Sequence, residues 1–350
     1  MSGRDRDDSA VGVTIPGLTE ATTVPALDPA LTRSRVWSHL RRDRGVVAAA
    51  VFLALLLLAV LVGGPLLSRL LGHGPDDIFT EAVDELLRPV GPWTRVPDPN
   101  GGEALLPHGA DGPLGRDELL RLLDGGRVSL AVAVGGTLVA VTIGVVLGTA
   151  AAYFGGWLDA FISRLTELVM AFPLLFFVIL LASTVRDDLS GITLGVFAEG
   201  VVALVLLIGA FTWFYPARVI RTEVLSLREQ PFVEAARMLG AGDLRIMRHH
   251  VLPHLAAPIL VLSALMVPVN ILLEAGVSFL GLGIELPTAS WGSLLATAWG
   301  TVRQPTTTSQ SMTLWITLFP SVAILVTVLA FNVLGEGLRA ALDPRSRPRA

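Results

Sequence analysis

The sequence predicts an all-α membrane protein with six transmembrane helices, both termini cytoplasmic, and a pair of short cytoplasmic helices between spans four and five. Three observations carry that expectation. Hydrophobic residues make up 52% of the 350 and charged residues only 16%, against roughly 25% charged in a soluble protein. The apolar residues fall in long blocks, with a mean hydropathy of +0.66. Arginine is shared unequally among the segments that join those blocks.

Residues 1–44 are polar, rich in Ser, Thr, Pro, Asp and Arg, the composition of a disordered tail. They do not resemble a signal peptide, because the first apolar block starts only at Gly45, runs long and lacks a small-residue cleavage site. That block, Gly45–Leu71, exceeds the about 20 residues needed to cross a bilayer and reads as an uncleaved anchor. Residues 72–127 form a long outer loop. Five further blocks follow at Val128–Phe154, Leu165–Val185, Ile192–Pro216, Leu252–Phe279 and Met312–Leu334. They make a five-span core over 128–337, interrupted by a cytoplasmic loop at 217–251 and a second outer segment at Leu280–Ser311. A cytoplasmic tail, 338–350, closes the chain.

Sidedness follows from arginine, which is retained on the cytoplasmic side. With the N-terminus inside, the inner segments hold 18 arginines and the outer ones, Arg69 included, hold 8. Tyr153, Trp157, Trp213 and Tyr215 stand at block ends and fit interfacial aromatic belts. Gly135, Gly136, Gly144, Gly148, Gly155 and Gly156 would let helix backbones approach closely in lipid.

Two absences exclude function classes. Without cysteine there is no disulfide, thiolate zinc site or cysteine nucleophile. All 26 basic residues are arginine, and a phosphate-binding GxxxxGK[ST] loop needs a lysine. Any energy from ATP must therefore enter through a partner. No catalytic residue and no cofactor is expected. His249, His250 and His254 include an i, i+4 pair, but Pro253 lies within that turn and Arg245 and Arg248 disfavour a cation, so no metal site is expected either.

The 217–251 loop carries the sharpest local signals. Pro231 suits a first helical position, where its missing N–H costs nothing. Phe232, Val233, Ala236 and Leu239 recur at helical spacing. Gly240 or Gly242 can take the left-handed conformation that ends a helix. Asp243 can cap a second helix bearing Leu244, Ile246 and Met247, and Pro253 marks the start of the next span. The expected product is two short helices at an angle.

Glu234-Ala235-Ala236, Gly240 and Leu252-Pro253, at this spacing, resemble the EAA motif of permease subunits of bacterial ATP-binding-cassette importers. His250 stands where the general pattern has isoleucine, as it often does in the dipeptide and oligopeptide branch. Gly115–Leu130, Tyr153–Pro173, Glu274–Gly283, Ser290–Gly292 and Phe331–Arg345 are similar to that branch in the same order. The likeness runs from about His108 to Pro344. Within Gly109–Asp117 it departs, with Ala110 for the usual threonine and one extra residue before Gly115-Arg116-Asp117.

The resemblance implies a non-catalytic subunit of the cell membrane. Glu234, Ala235, Ala236, Gly240, Leu252 and Pro253 would form its docking site for the ATPase. Its expected partners are a second, homologous permease, two ATP-binding-cassette ATPases, an extracytoplasmic solute-binding protein and membrane lipid. The expected solute is a di- or oligopeptide. Nickel or another small solute is the alternative, as is a self-sufficient secondary transporter. Secondary transporters often show paired, broken repeats, and no such halves stand out here. The helix pair with its six arginines also allows a helix-turn-helix. A short membrane tether would keep it from a major groove, so no nucleic acid is expected. Asn270 and, one turn later, Glu274 lie at a depth where polar groups are costly. They read as lining the translocation path or the permease–permease contact, or else as hydrogen-bonding a neighbouring helix.

Overall fold

The computed structural model describes residues 40–85, 87–98, 101–190, 200–284, 286–302 and 314–342. The expected N-terminal tail before residue 40, and the chain beyond 342, lie outside these. The helices are α1 (Arg44–Leu71), α2 (Glu118–Phe154), α3 (Gly156–Met170), α4 (Leu174–Ser190) and α5 (Val201–Thr212). They continue as α6 (Phe214–Arg228), α7 (Pro231–Met238), α8 (Asp243–Phe279), α9 (Trp291–Val302) and α10 (Leu314–Leu342). Among the described residues, α1, α2, α8 and α10 are by length and composition able to cross a membrane, giving 4 spans, or up to 6 if each bent pair is one span.

Those bent pairs depart from the expected straight blocks. The third block divides into α3 and α4, which meet at 89° across Ala171–Pro173. The fourth bends by 45° between α5 and α6. Pro216 does not end that span. It sits in the first turn of α6, where a proline is tolerated, and the helix runs on to Arg228. Further along, the second short helix of the loop is not separate from the fifth span. From Asp243 the chain winds through a π-turn at Met247–Val251 and a tight turn at Leu252–Leu255 straight into the apolar part of α8. These turns absorb Pro253 without a break.

Helix α2 is the central element, lying against α5, α6 and α8. Small residues make this approach possible. A Cβ added at Gly144 would come within 2.6 Å of Pro216 Cβ, and one at Gly148 within 2.5 Å of the Ala217 carbonyl oxygen. Gly135 and Gly136 face Val205 and Ile208 in the same way. Gly155 and Gly156 do something else: with φ of +65° and +60° they turn the chain between α2 and α3. Helix α10 packs on α8 and α1, and α9 lies on α8 and α10. The aromatic belt is partial, because Trp213 and Tyr153 are buried whereas Trp157 and Tyr215 are exposed.

Residues 72–127 hold more than a loop. An antiparallel hairpin pairs β1 (Thr94–Pro97) with β2 (Glu103–Leu106), with Thr94 opposite Leu106. Phe79, Ala82, Val96, Ala104, Leu106 and Ala110 form its small apolar core. Helix α2 starts ten residues before the expected block, at Glu118 rather than Val128.

Candidate functional site

The sequence-predicted elbow forms where α6 stops. Gln230 is extended, Pro231 takes the first helical position, and α7 runs to Met238. Gly240 then adopts φ +81°. Its N–H donates to the Arg237 carbonyl at 3.0 Å, and the Ala241 N–H donates to the Ala236 carbonyl at 3.1 Å. Together these bonds close α7 as a Schellman motif. Asp243 does not cap the following helix. It occupies the first helical position after Gly242, and its carboxylate accepts the Tyr153 hydroxyl at 2.7 Å, tying the start of α8 to the end of α2.

The elbow has a buried face and an open one. Val233, Ile246, Val251 and Leu255 are each 0% exposed and pack with Ile220, Val224 and Ala152. Burying side chains of this size contributes roughly 1.5–3 kcal/mol apiece, so the elbow is fixed to α6 and α2. Ala236 belongs to this inner face, and its small size serves packing within the chain. Glu234 and Ala235 stand on the open face, Glu234 in the first turn of α7, where a helix N-terminus favours a carboxylate. Leu252 and Pro253 are also exposed. At the tip, Met238, Leu239 and Leu244 are 83%, 89% and 77% exposed. The Phe232 ring stacks on His254 at 5.0 Å, and His254 Nδ1 lies 2.7 Å from the His250 carbonyl oxygen. Among the described residues no group of three or more His, Cys, Asp or Glu could hold a metal ion.

Asn270 and Glu274 lie apart from the elbow, in the interface between α8 and α2. Both are 0% exposed. Asn270 Nδ2 donates to Thr137 Oγ1 at 2.9 Å, and Glu274 accepts the Ser129 hydroxyl at 2.7 Å. Within this chain neither side chain reaches an open surface, and each joins neighbouring helices.

A third polar cluster, which the sequence reading missed, surrounds the start of α2. Asp117 Oδ1 accepts the N–H groups of Leu119 and Leu120 at 2.8 and 3.1 Å. The other oxygen, Oδ2, lies 3.7 Å from His73 Nε2, and both side chains are buried. Arg121 bridges Asp111 at 2.7 Å and Asp76 at 2.6 Å and donates to the Pro287 carbonyl at 3.1 Å. Burial pushes the Asp117 carboxyl above the usual carboxylate range, opposed by the N–H of Leu120, by His73 and by the N–H of Leu119. Burial lowers His108. The cluster's signal in the sequence was the density of charge in Asp111–Arg121 just before an apolar block.

Comparison with known proteins matches this sequence to a transport family. The profile described as binding-protein-dependent transport system inner membrane component fits residues 140–348. The oligopeptide transport system permease protein OppC of Escherichia coli K12 is 34% identical over 316 residues, covering 89% of this chain and 92% of that protein. The protein of the same name from Salmonella typhimurium has the same identity and coverage. Its namesake in Haemophilus influenzae is 36% identical over 233 residues, 67% of this chain and 68% of the relative.

Proposed function

Because this chain belongs to the family of binding-protein-dependent transport inner membrane components, we propose that it is one permease subunit of an ATP-driven importer of di- or oligopeptides. It is a multi-pass protein of the cell inner membrane. In this reading six spans place both termini and the elbow in the cytoplasm. A second, homologous permease completes the path, two ATPase subunits dock below, and a binding protein delivers solute from outside.

The observation that carries the reading is the elbow's two-sidedness. Its inner face is fully packed, yet Met238, Leu239 and Leu244 project apolar side chains outward at its tip. Apolar groups grouped at a tip, on an element already anchored behind, suit a surface covered by another subunit. Glu234, Ala235 and Gly240 flank that tip, and Leu252 and Pro253 lie where α8 leaves it, as an ATPase-docking site would have them. Ala236 supports the site from within. Asn270 and Glu274 act in coupling α8 to α2 rather than as an exposed lining. The peptide assignment rests on likeness to oligopeptide permeases along nearly the full chain.

Reconstitution tests this. Proteoliposomes holding this chain, its companion permease and both ATPases should accumulate labelled oligopeptide only when ATP and the binding protein are supplied. Uptake by this chain alone under a proton gradient would mark a secondary transporter instead. Nickel uptake without peptide uptake would correct the solute.

A further inference from the structure

The connection from α8 to α9 is held by hydroxyl groups that converge on a single carboxylate. Glu274 Oε2 accepts the Ser129 hydroxyl of α2 at 2.7 Å, and Oε1 accepts the Ser278 hydroxyl, one turn on in α8, at 2.7 Å. Two hydroxyl oxygens, those of Ser129 and Ser278, therefore meet it, one on each carboxylate oxygen. Each of these oxygens in turn accepts a backbone N–H. Trp291 donates to Ser129 at 3.1 Å and Ile284 to Ser278 at 3.4 Å. Polarity therefore runs one way, from amide to hydroxyl to carboxylate.

That direction has a chemical requirement. A hydroxyl owns one proton, and giving it to the carboxylate leaves the lone pairs for the amides. Two such hydroxyls, one on each side-chain terminus, are satisfied where both carboxyl oxygens accept, whereas an amide offers one accepting oxygen and one donating nitrogen. No ion pair to this carboxyl is present among the described residues, and the first N–H of α9 reaches it only through the Ser129 hydroxyl. The surroundings leave little slack. A Cβ at Gly292 would stand 2.5 Å from the Ala275 carbonyl oxygen, and one at Gly126 would stand 2.9 Å from the Trp291 ring.

We propose that Glu274 is a positioning residue: its two accepting carboxylate oxygens set the direction of two hydroxyl relays, through Ser129 and Ser278, that dock the start of α9 and Ile284 onto α2 and α8. Acceptor capacity on both oxygens, rather than the size of the side chain, holds α9 in place. The docking does not depend on what the importer carries.

Hydrogen–deuterium exchange on the full assembled complex in nanodiscs tests the docking. Glu274→Gln has the same shape, but its amide nitrogen must donate where a hydroxyl now donates. The expected result is exchange about tenfold faster across Trp291–Val302, as for a lost hydrogen bond to a charged group, with α5 amides unchanged. Ser129→Ala removes one relay with little change of volume and should loosen the start of α9 while sparing Ile284. Combined, the two changes should loosen α9 by less than the product of their separate effects, because they act on one network. If Glu274→Gln and Ser129→Ala both leave α9 protected within about twofold of the wild type, the carboxylate only fills space and the proposal fails. If Glu274→Gln does not assemble, Ser129→Ala alone decides. Peptide uptake by the same variants in proteoliposomes reports separately on the importer reading, since exchange at α9 needs no solute.

Discussion

Single residues divide the elbow into backbone and surface roles. Gly240 is the residue whose backbone decides the turn, since its φ is +81° and nothing lies within 4 Å of where a Cβ would sit. Any cost of a side chain there is therefore conformational. A left-handed backbone costs an ordinary L-residue roughly 1–2 kcal/mol, and asparagine less. Gly240→Ala should lower the fraction of ATPase that co-purifies with the permease, and Gly240→Asn should lower it by less. Equal, undiminished ATPase recovery from both would detach the turn from docking. Asp117 belongs to this scale too. Its carboxyl is raised in the fold by burial, so the folded form holds the proton more tightly than the unfolded one. Its contribution is fully present below the unfolded pKa and is lost as pH rises through the folded value. Asp117→Asn keeps an oxygen for the cap and removes the titration. Exchange protection of the 94–106 hairpin should then vary less across the weakly acidic range than it does in the wild type.

At the scale of elements, the glycines of α2 are the contact that brings the central helix against α5 and α6. Replacing Gly148 by leucine would drive a side chain into the Ala217 backbone, 2.5 Å from where its Cβ would start. Overpacking of this kind typically costs about 1–3 kcal/mol, and a lower melting temperature in detergent should report it. Long apolar blocks made the spans legible, and Pro231 with Gly240 made α7 legible, because both signals are local. Helix ends were less so. Glu118, Arg121 and Asp124 look like loop residues, yet Glu118 and Arg121 are buried in the first turns of α2, where partners from the 72–117 unit and Pro287 meet them. Those partners are distant in sequence, so periodicity could not place them. Pro253 read as a boundary because a proline usually ends a helix. A π-turn before it and a tight turn around it, which no residue pattern announces, carried the helix through. Helix α9 was missed because its 12 residues fall short of a span and sit inside an otherwise polar segment.

The whole molecule presents two ends to test. The chain contains no cysteine, so a single introduced thiol reports its side of the membrane without background. Leu239→Cys, at the elbow tip, should resist a membrane-impermeant maleimide applied to spheroplasts and label once they are lysed. Trp93→Cys, 75% exposed beside the β-hairpin, should label in intact spheroplasts. The reverse pattern would invert the proposed topology. Between these two ends runs α8, 37 residues without a break, about 55 Å at 1.5 Å per residue. It begins at the elbow and passes Glu274 near its other end. If docking at the elbow tilts this helix as a rigid rod, about 5° at one end swings the opposite end by about 5 Å over that length. In the proposed importer, such a stroke would reach the far side of the membrane without a chain of small side-chain adjustments.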